Sequence, residues 1–306
     1  MSKRILFMGT PDYATTIFKE LLNSKYEIVG LFTQPDKPVG RKQLLTPPHI
    51  KQFCIEENLN IPIFQPLKLR GNEEAKKQIE DLKPDFIIVA AYGQILPKEI
   101  LDIAPCINLH ASLLPKYRGA SPIQESLLND DFYTGVTSML MEEGLDSGDI
   151  LALQYLKITP MMEVSEAFEK LSLIAAKLTI TTLDNFENIK PIKQNEAEVS
   201  FCKKIKKEDG LVNFIDAKKL YLKYKAYSYW PGIFLESELK LKDIELNDEK
   251  SINNQGQILE INDEFIIVGC EKGSLKIKTL QAPSKKAINS IDFIRGQRLE
   301  INSILI

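Results

Sequence analysis

The sequence predicts a doubly wound, mostly parallel α/β sheet followed by a smaller β-rich domain. Through the first two-thirds of the chain, short apolar β-prone runs alternate with amphipathic stretches. One of those runs, residues 85–91, is apolar from Phe86 onward with no alternation, the mark of a strand covered on both faces. Beyond residue 210 most runs are short and separated by turn residues, as in a small, partly open barrel. At 306 residues the chain is long enough for two domains with sizeable cores.

Taken in order, residues 4–8 read as a first strand, Gly9-Thr10-Pro11-Asp12 as a turn, and 13–23 as a helix. Residues 27–33 are a second strand, followed by a long polar loop over 34–48. Helix over 50–57, a short strand at 61–64 and a charged helix over 73–82 lead to the apolar strand at 85–91. A short helix at 98–102 precedes a strand at 106–110. Residues 121–129 form a helix, 135–141 and 150–158 strands, and 164–188 the longest helix, with Val164, Phe168, Leu171, Ala175 and Leu178 at helical spacing. Over 190–210 periodicity lapses and polar residues dominate, so 1–189 is expected as one domain, 190–210 as a linker and 211–306 as the second domain. In that second domain a helix over 217–227 precedes short strands at 232–236, 257–261, 264–270 and 275–280.

Composition narrows the function classes. The chain is 44% apolar and 26% charged, and no apolar run reaches the roughly 18 residues of a membrane span. The first apolar run follows Met1-Ser2-Lys3-Arg4 directly and is too short for a signal-peptide core, so a cytoplasmic protein is expected. Four cysteines, at 54, 106, 202 and 270, include no CxxC pair, which argues against a zinc ribbon or redox dithiol. The net charge of −3 speaks against a constitutive nucleic-acid coat, yet residues 201–306 carry 18 Lys+Arg against 15 Asp+Glu. Lys203, Lys204, Lys206 and Lys207 cluster there as candidate phosphate contacts.

The chemistry concentrates in Cys106–Gly119. Asn108 and His110 lie two residues apart on a strand and so face one side, at the carboxyl end where open α/β sheets place ligands. Pro115 and Gly119 follow, as expected where backbone wraps a ligand, and a glycine-rich acidic turn at 144–148 offers Asp146 as a partner. Amide, imidazole and carboxylate together suit acyl transfer. The amide donates to a developing oxyanion, the imidazolium reinforces it or protonates a leaving group, and the carboxylate takes a proton directly or through water. No protein nucleophile is needed if the acceptor is an amine, and no GxSxG elbow surrounds Ser112. Neither GxGxxG nor GxxxxGK[ST] occurs, which disfavours a dinucleotide cofactor.

The segment Asn108–Gly119, with Ser112-Leu113-Leu114-Pro115-Lys116-Tyr117-Arg118-Gly119 intact, resembles the signature of the folate-dependent formyltransferases. Gly144-Leu145-Asp146-Ser147-Gly148-Asp149-Ile150 is similar to the family's second site motif, so the resemblance implies Asn108, His110 and Asp146 as catalytic residues. Further similarity in 7–12, 32–41, 206–210 and Trp230-Pro231-Gly232 points to the members that act on methionyl initiator tRNA. The family fold is a Rossmann-like catalytic domain followed by an OB-like barrel that binds tRNA. The resemblance implies 10-formyltetrahydrofolate as formyl donor, bound along Ser112, Leu113, Leu114 and Pro115 with backbone of 90–94 and 141–146. It implies the tRNA's methionyl amine as acceptor. No metal, membrane contact or obligate protein partner is expected. The 34–48 loop, long and proline-stiffened with Arg41 and Lys42 at its tip, is the expected acceptor-stem element, Arg41 foremost. Two alternatives stand beside this: a formyltransferase for a nucleotide-linked amino sugar, which the 34–41 loop disfavours, and a non-catalytic RNA- or folate-binding module, which the intact trio disfavours.

Overall fold

The structure is a computed structural model that describes residues 2–40 and 42–305. The chain forms two compact units. Met1–Pro122, Tyr133–Lys157 and Phe168–Cys202 make the first; Ile123–Phe132, Ile158–Ala167 and Lys203–Ile306 make the second.

The first unit is built on a seven-stranded sheet in the order Ile150–Lys157, Tyr133–Leu140, Cys106–His110, Phe86–Ala90, Arg4–Gly9, Glu27–Phe32, Ile63–Phe64. The last five of these run parallel, and Tyr133–Leu140 and Ile150–Lys157 continue the sheet antiparallel. Every residue of Phe86–Ala90 is buried, which is why that stretch carries no polar alternation. Leu6, Met8, Phe32, Val89 and Tyr92 pack in one cluster with Ile79 and Ile100. Full burial of such side chains stabilises by about 1.5–3 kcal/mol each, which holds the strand ends rigidly where the candidate site forms.

Local chemistry sets the helix limits. Helix Asp12–Leu22 starts after Pro11, whose fixed φ suits the first turn and whose absent N–H would have had no helical partner. Helix Glu73–Leu82 is capped by Asn72, whose side chain accepts the Ala75 N–H at 3.0 Å, with Glu73 and Glu74 favourably placed in the first turn. It stops at Lys83, which turns left-handed. The longest helix, Val164–Asn185, is shorter than its sequence pattern, since 186–188 tighten into a 3-10 turn. No helix among the described residues is long and apolar enough to cross a membrane.

The stretch 34–48, read from sequence as loop, contains a small hairpin. Lys37–Val39 pairs antiparallel with Leu44–Thr46, and Gly40 adopts φ +71° at the turn. Its apolar residues Val39, Leu44 and Leu45 are exposed, so the hairpin is held by backbone pairing and not by a core of its own. Within 190–210, Phe201–Cys202 pairs parallel with Arg118–Gly119 in the first unit.

The second unit is an antiparallel sheet in the order Ile233–Phe234, Lys240–Asp248, Ser274–Gln281, Ile266–Gly269, Ile258–Ile261, with Ile288–Asn289 pairing Ser274–Gln281. Helix Ala217–Tyr227 is capped by Asp216, which accepts the Lys219 N–H at 3.0 Å. Helix Ser290–Gln297 is capped by Asn289 and ends at the left-handed Arg298. Neither this helix nor the Lys240–Asp248 strand was expected from the sequence.

Candidate active site

The strand Cys106–His110 sits where the sheet changes direction. Its Val89 side is parallel and its Met139 side antiparallel, with Asn108 opposite both residues. Asn108 lies level with the end of the Phe86–Ala90 strand, and His110 extends beyond it. The ladder on Tyr133–Leu140 places His110 opposite Thr137. Thr137 Oγ1 donates to Ser112 O at 2.7 Å and accepts the Leu114 N–H at 3.0 Å, which pins the turn after His110.

Asp146 lies between the amide and the imidazole. Its Oδ1 accepts Asn108 Nδ2 at 3.3 Å, and its Oδ2 accepts the Gly119 backbone N–H at 2.9 Å. His110 Nδ1 stands 3.7 Å from Oδ2, and its Nε2 donates to Tyr117 O at 2.9 Å, since a carbonyl can only accept. Both ring nitrogens of this buried histidine thus face oxygen atoms. Asn108 Nδ2 keeps a second hydrogen beyond the one given to Asp146.

The backbone here is unusual. Ala91, Tyr117 and Asp146 have φ of +45°, +61° and +48°, left-handed values that cost non-glycine residues on the order of 1 kcal/mol each. Gly119 has φ +122°, and a Cβ there would collide with the Cys202 carbonyl oxygen. Such strained positions persist only where surrounding bonds over-determine them, and two of them, Gly119 and Asp146, are joined by the bond to the Asp146 carboxylate.

Neither the serine nor the cysteine of the Cys106–Gly119 segment is an evident nucleophile. Ser112 is fully buried and its Oγ donates to Lys116 O at 2.6 Å. Burial pushes the Cys106 thiol up to about 12, so it stays protonated near neutrality. Of the four turn residues expected to face folate, Ser112 and Leu114 point into the protein, while Leu113 and Pro115 are half-buried. The segment after Phe86–Ala90 is anchored by Tyr92 O, which accepts from both Thr10 Oγ1 and Gln34 Nε2 at 3.1 Å.

Of the tRNA candidates, Arg41 lies outside the described residues. Lys42 is exposed in the hairpin's turn. At that hairpin's base, Lys51 Nζ donates to both Asp36 oxygens at 2.8 and 2.9 Å and to Gln65 Oε1 at 2.8 Å. Gln65 Nε2 donates to Asp36 Oδ1 at 2.7 Å and to Gln34 O at 2.8 Å. The Gln65 amide, and then the Lys51 ammonium, hold the Asp36 carboxyl below the usual carboxylate range. Lys203, Lys204, Lys206 and Lys207 are exposed, and they belong to the second unit. Among the described residues no group of three or more His, Cys, Asp or Glu is placed to hold a metal.

Sequence reasoning missed Gln34, Gln65 and Gln194. Gln34 and Gln65 each follow the end of an apolar strand and Gln194 lies in a polar stretch, and nothing local marks any of them as bridging.

Comparison with known proteins bears on the same residues. The sequence profile described as "Formyl transferase" matches residues 3–183, and that described as "Formyl transferase, C-terminal domain" matches 204–298. The chain is 59% identical to "Methionyl-tRNA formyltransferase" of Nitratiruptor sp. over 97% of its own length and 98% of that protein. It is 52% identical to the protein of the same name from Wolinella succinogenes, over 99% of each chain. Its fold is similar to HypX from Aquifex aeolicus in complex with tetrahydrofolic acid (TM-score 0.65, 18% identity, 96% of this chain and 47% of that one). It is also similar to WlaRD, a sugar 3N-formyl transferase (TM-score 0.67, 16% identity, 94% of this chain and 99% of that one). With a profile covering more than half its residues and relatives over half identical along nearly their full lengths, the chain belongs to the methionyl-tRNA formyltransferase family of formyl transferases.

Proposed function

We propose that this protein transfers a formyl group from 10-formyltetrahydrofolate to the free α-amine of methionyl initiator tRNA, in the cytoplasm. The observation that carries the reading is the Asp146 carboxylate, set between the Asn108 amide and the His110 imidazole, while the Ser112 hydroxyl and the Cys106 thiol on the same segment are buried. Such a site suits an acceptor that brings its own nucleophile, and an amine does so.

The folate supplies the formyl carbon. Its pterin presents an edge of donors and acceptors, and the residues fit it: the last sheet bond on that side is Met141 N–H to Cys106 O, and past Ala90 and Met141 the chain leaves the ladder, so peptide groups within 91–94 and 142–145 are turned from pairing within the sheet. Leu113 and Pro115 supply half-buried apolar surface beside them. As the amine nitrogen adds to the formyl carbon, negative charge gathers on the formyl oxygen. The second Nδ2 hydrogen of Asn108 answers that charge, a role whose loss typically costs 10²–10³ in rate. Asp146 takes the proton the amine must shed, directly or through one water. His110, its ring held by Tyr117 O, presents Nδ1 toward the same carboxylate and passes a proton on to the departing donor nitrogen. The amine loses one hydrogen and the donor nitrogen gains one, so no further reactant is needed.

For the acceptor, the Lys37–Thr46 hairpin, with Arg41 and Lys42, reads the acceptor end, and Lys203, Lys204, Lys206 and Lys207 contact backbone phosphates without reading sequence. The deciding experiment mixes purified protein, 10-formyltetrahydrofolate and charged initiator tRNA and follows formylmethionyl product. Product on an amino-sugar nucleotide with none on tRNA would overturn the reading.

A further inference from the structure

We propose that Gln194 is a positioning residue for Asp146, acting through the backbone of the turn that carries it; this rests on the catalytic role given to Asp146 above. Within the turn, Ser147 Oγ donates to Glu142 Oε1 at 2.6 Å and the Leu140 N–H to Asp149 O at 2.9 Å, and neither bond engages the Asp146 carbonyl. Residues 142–145 are exposed, and Asp146 itself sits at φ +48°. Gln194 comes from far along the chain and is 8% exposed. Its Nε2 donates to Asp146 O and Gly148 O, both at 2.8 Å, so one amide bridges the two carbonyls on either side of Ser147.

The other end of the glutamine fixes its orientation. Oε1 accepts Arg118 Nε at 3.0 Å. A flipped amide would turn Oε1 toward two carbonyls and Nε2 toward a guanidinium, losing three bonds at once. Arg118 is 4% exposed and is held in turn by Glu196, at 2.8 Å from its terminal nitrogen. Its chain neighbour Gly119 gives the N–H that binds Asp146 Oδ2. Asp146 is therefore gripped from one bracket at two points, its main-chain carbonyl through Gln194 and its carboxylate through Gly119. A glutamine suits this task because it is neutral. A lysine or arginine reaching the same carbonyls would bring a cation beside the carboxylate and compete with the substrate's ammonium proton for it.

The test compares wild type with Gln194→Leu, which removes all three bonds, and Gln194→Glu, which keeps an acceptor for Arg118 but turns an oxygen on the two carbonyls. Each is assayed for kcat and for KM of both substrates, with kcat expressed per folate-binding site found by titration. The expected result is a loss in kcat on the order of 10–100-fold in both variants, with KM values within about threefold, as for a catalytic group displaced by a fraction of its contact distance. A kcat per site within about twofold of wild type overturns the proposal. So does a loss of folate sites that accounts for all the lost activity, which is what a merely structural role gives. Asp146→Asn runs alongside: if it keeps wild-type turnover, the reading of the site itself fails, whereas an inactive Asp146→Asn beside fully active Gln194 variants sinks the positioning role alone.

Discussion

Gly119 donates its backbone N–H to Asp146 Oδ2 at 2.9 Å, so a main-chain bond to a glycine fixes the carboxylate oxygen that also stands 3.7 Å from His110 Nδ1. One of its oxygens is thus fixed, while the other faces Asn108. A neutral amide in its place keeps the shape and loses the base. Asp146→Asn is expected to lower kcat by about 10²–10⁴-fold with folate affinity unchanged, read by single-turnover formylation and a fluorescence titration. Asn108→Ala should lose about 10²–10³-fold in the same assay. Retained turnover in either would remove the assigned role.

Gly119 itself is the next point of leverage. At φ +122° an alanine is strained, and its Cβ would strike the Cys202 carbonyl, part of the short pairing of Phe201–Cys202 with Arg118–Gly119. Gly119→Ala is expected to destabilise by about 2 kcal/mol and to shift the Asp146 carboxylate with it. A melting curve that matches wild type would show that the strand pair yields more easily than its geometry implies.

The Asp36 cluster predicts a pH dependence. Hydrogen bonds from Gln65 and Lys51 depress the Asp36 pKa, so their contribution to stability is fully present above the ordinary carboxylate range. It is lost as pH falls through the depressed value. The Lys51–Asp36 pair is about a quarter exposed on each side, and solvent screening keeps its worth to about 1 kcal/mol or less. Lys51→Met should therefore melt a few degrees below wild type at pH 7, and the two should converge as the pH approaches 3. A gap that persists unchanged in acid would mean that lost packing, and not the ion pair, separates them.

Lys206 and Lys207 are assigned to phosphates. Replacing both with alanine should raise KM for charged tRNA and reduce the steepness of its dependence on log salt by nearly two counterions' worth, with kcat near wild type. An unchanged salt slope would place these lysines off the RNA.

Much of this was legible in the sequence where chemistry and local pattern coincide. Phe86–Ala90 announces a buried parallel strand by its lack of polar residues. Asn108 and His110 share a face because strand spacing requires it, and Asp146 stands in a glycine-rich turn that a ligand-facing loop needs. What escaped notice depends on distant partners. Lys240–Asp248 carries five charged residues in nine, so it does not look like an inner strand; it is one because two other strands pair with it. The Lys37–Thr46 hairpin lacks alternation for the same reason that its apolar residues lie exposed: no core claims them. Gln194 is silent in sequence, since its three partners lie 46 to 76 residues away.

The strand pairing at Phe201–Cys202 also bears on the order in which the molecule is made. By Lys157 the ribosome has released every strand of the seven-stranded sheet, and by Asn185 the long helix that follows. Gln194, Ser200 and Cys202 are still to come, and they hold the Asp146 turn, Tyr117 N–H and Ala120 N–H respectively. A nascent chain can thus complete its sheet while the parts that grip the carboxylate are still unsynthesised, and competence for chemistry arrives late, with the last few residues of the first unit.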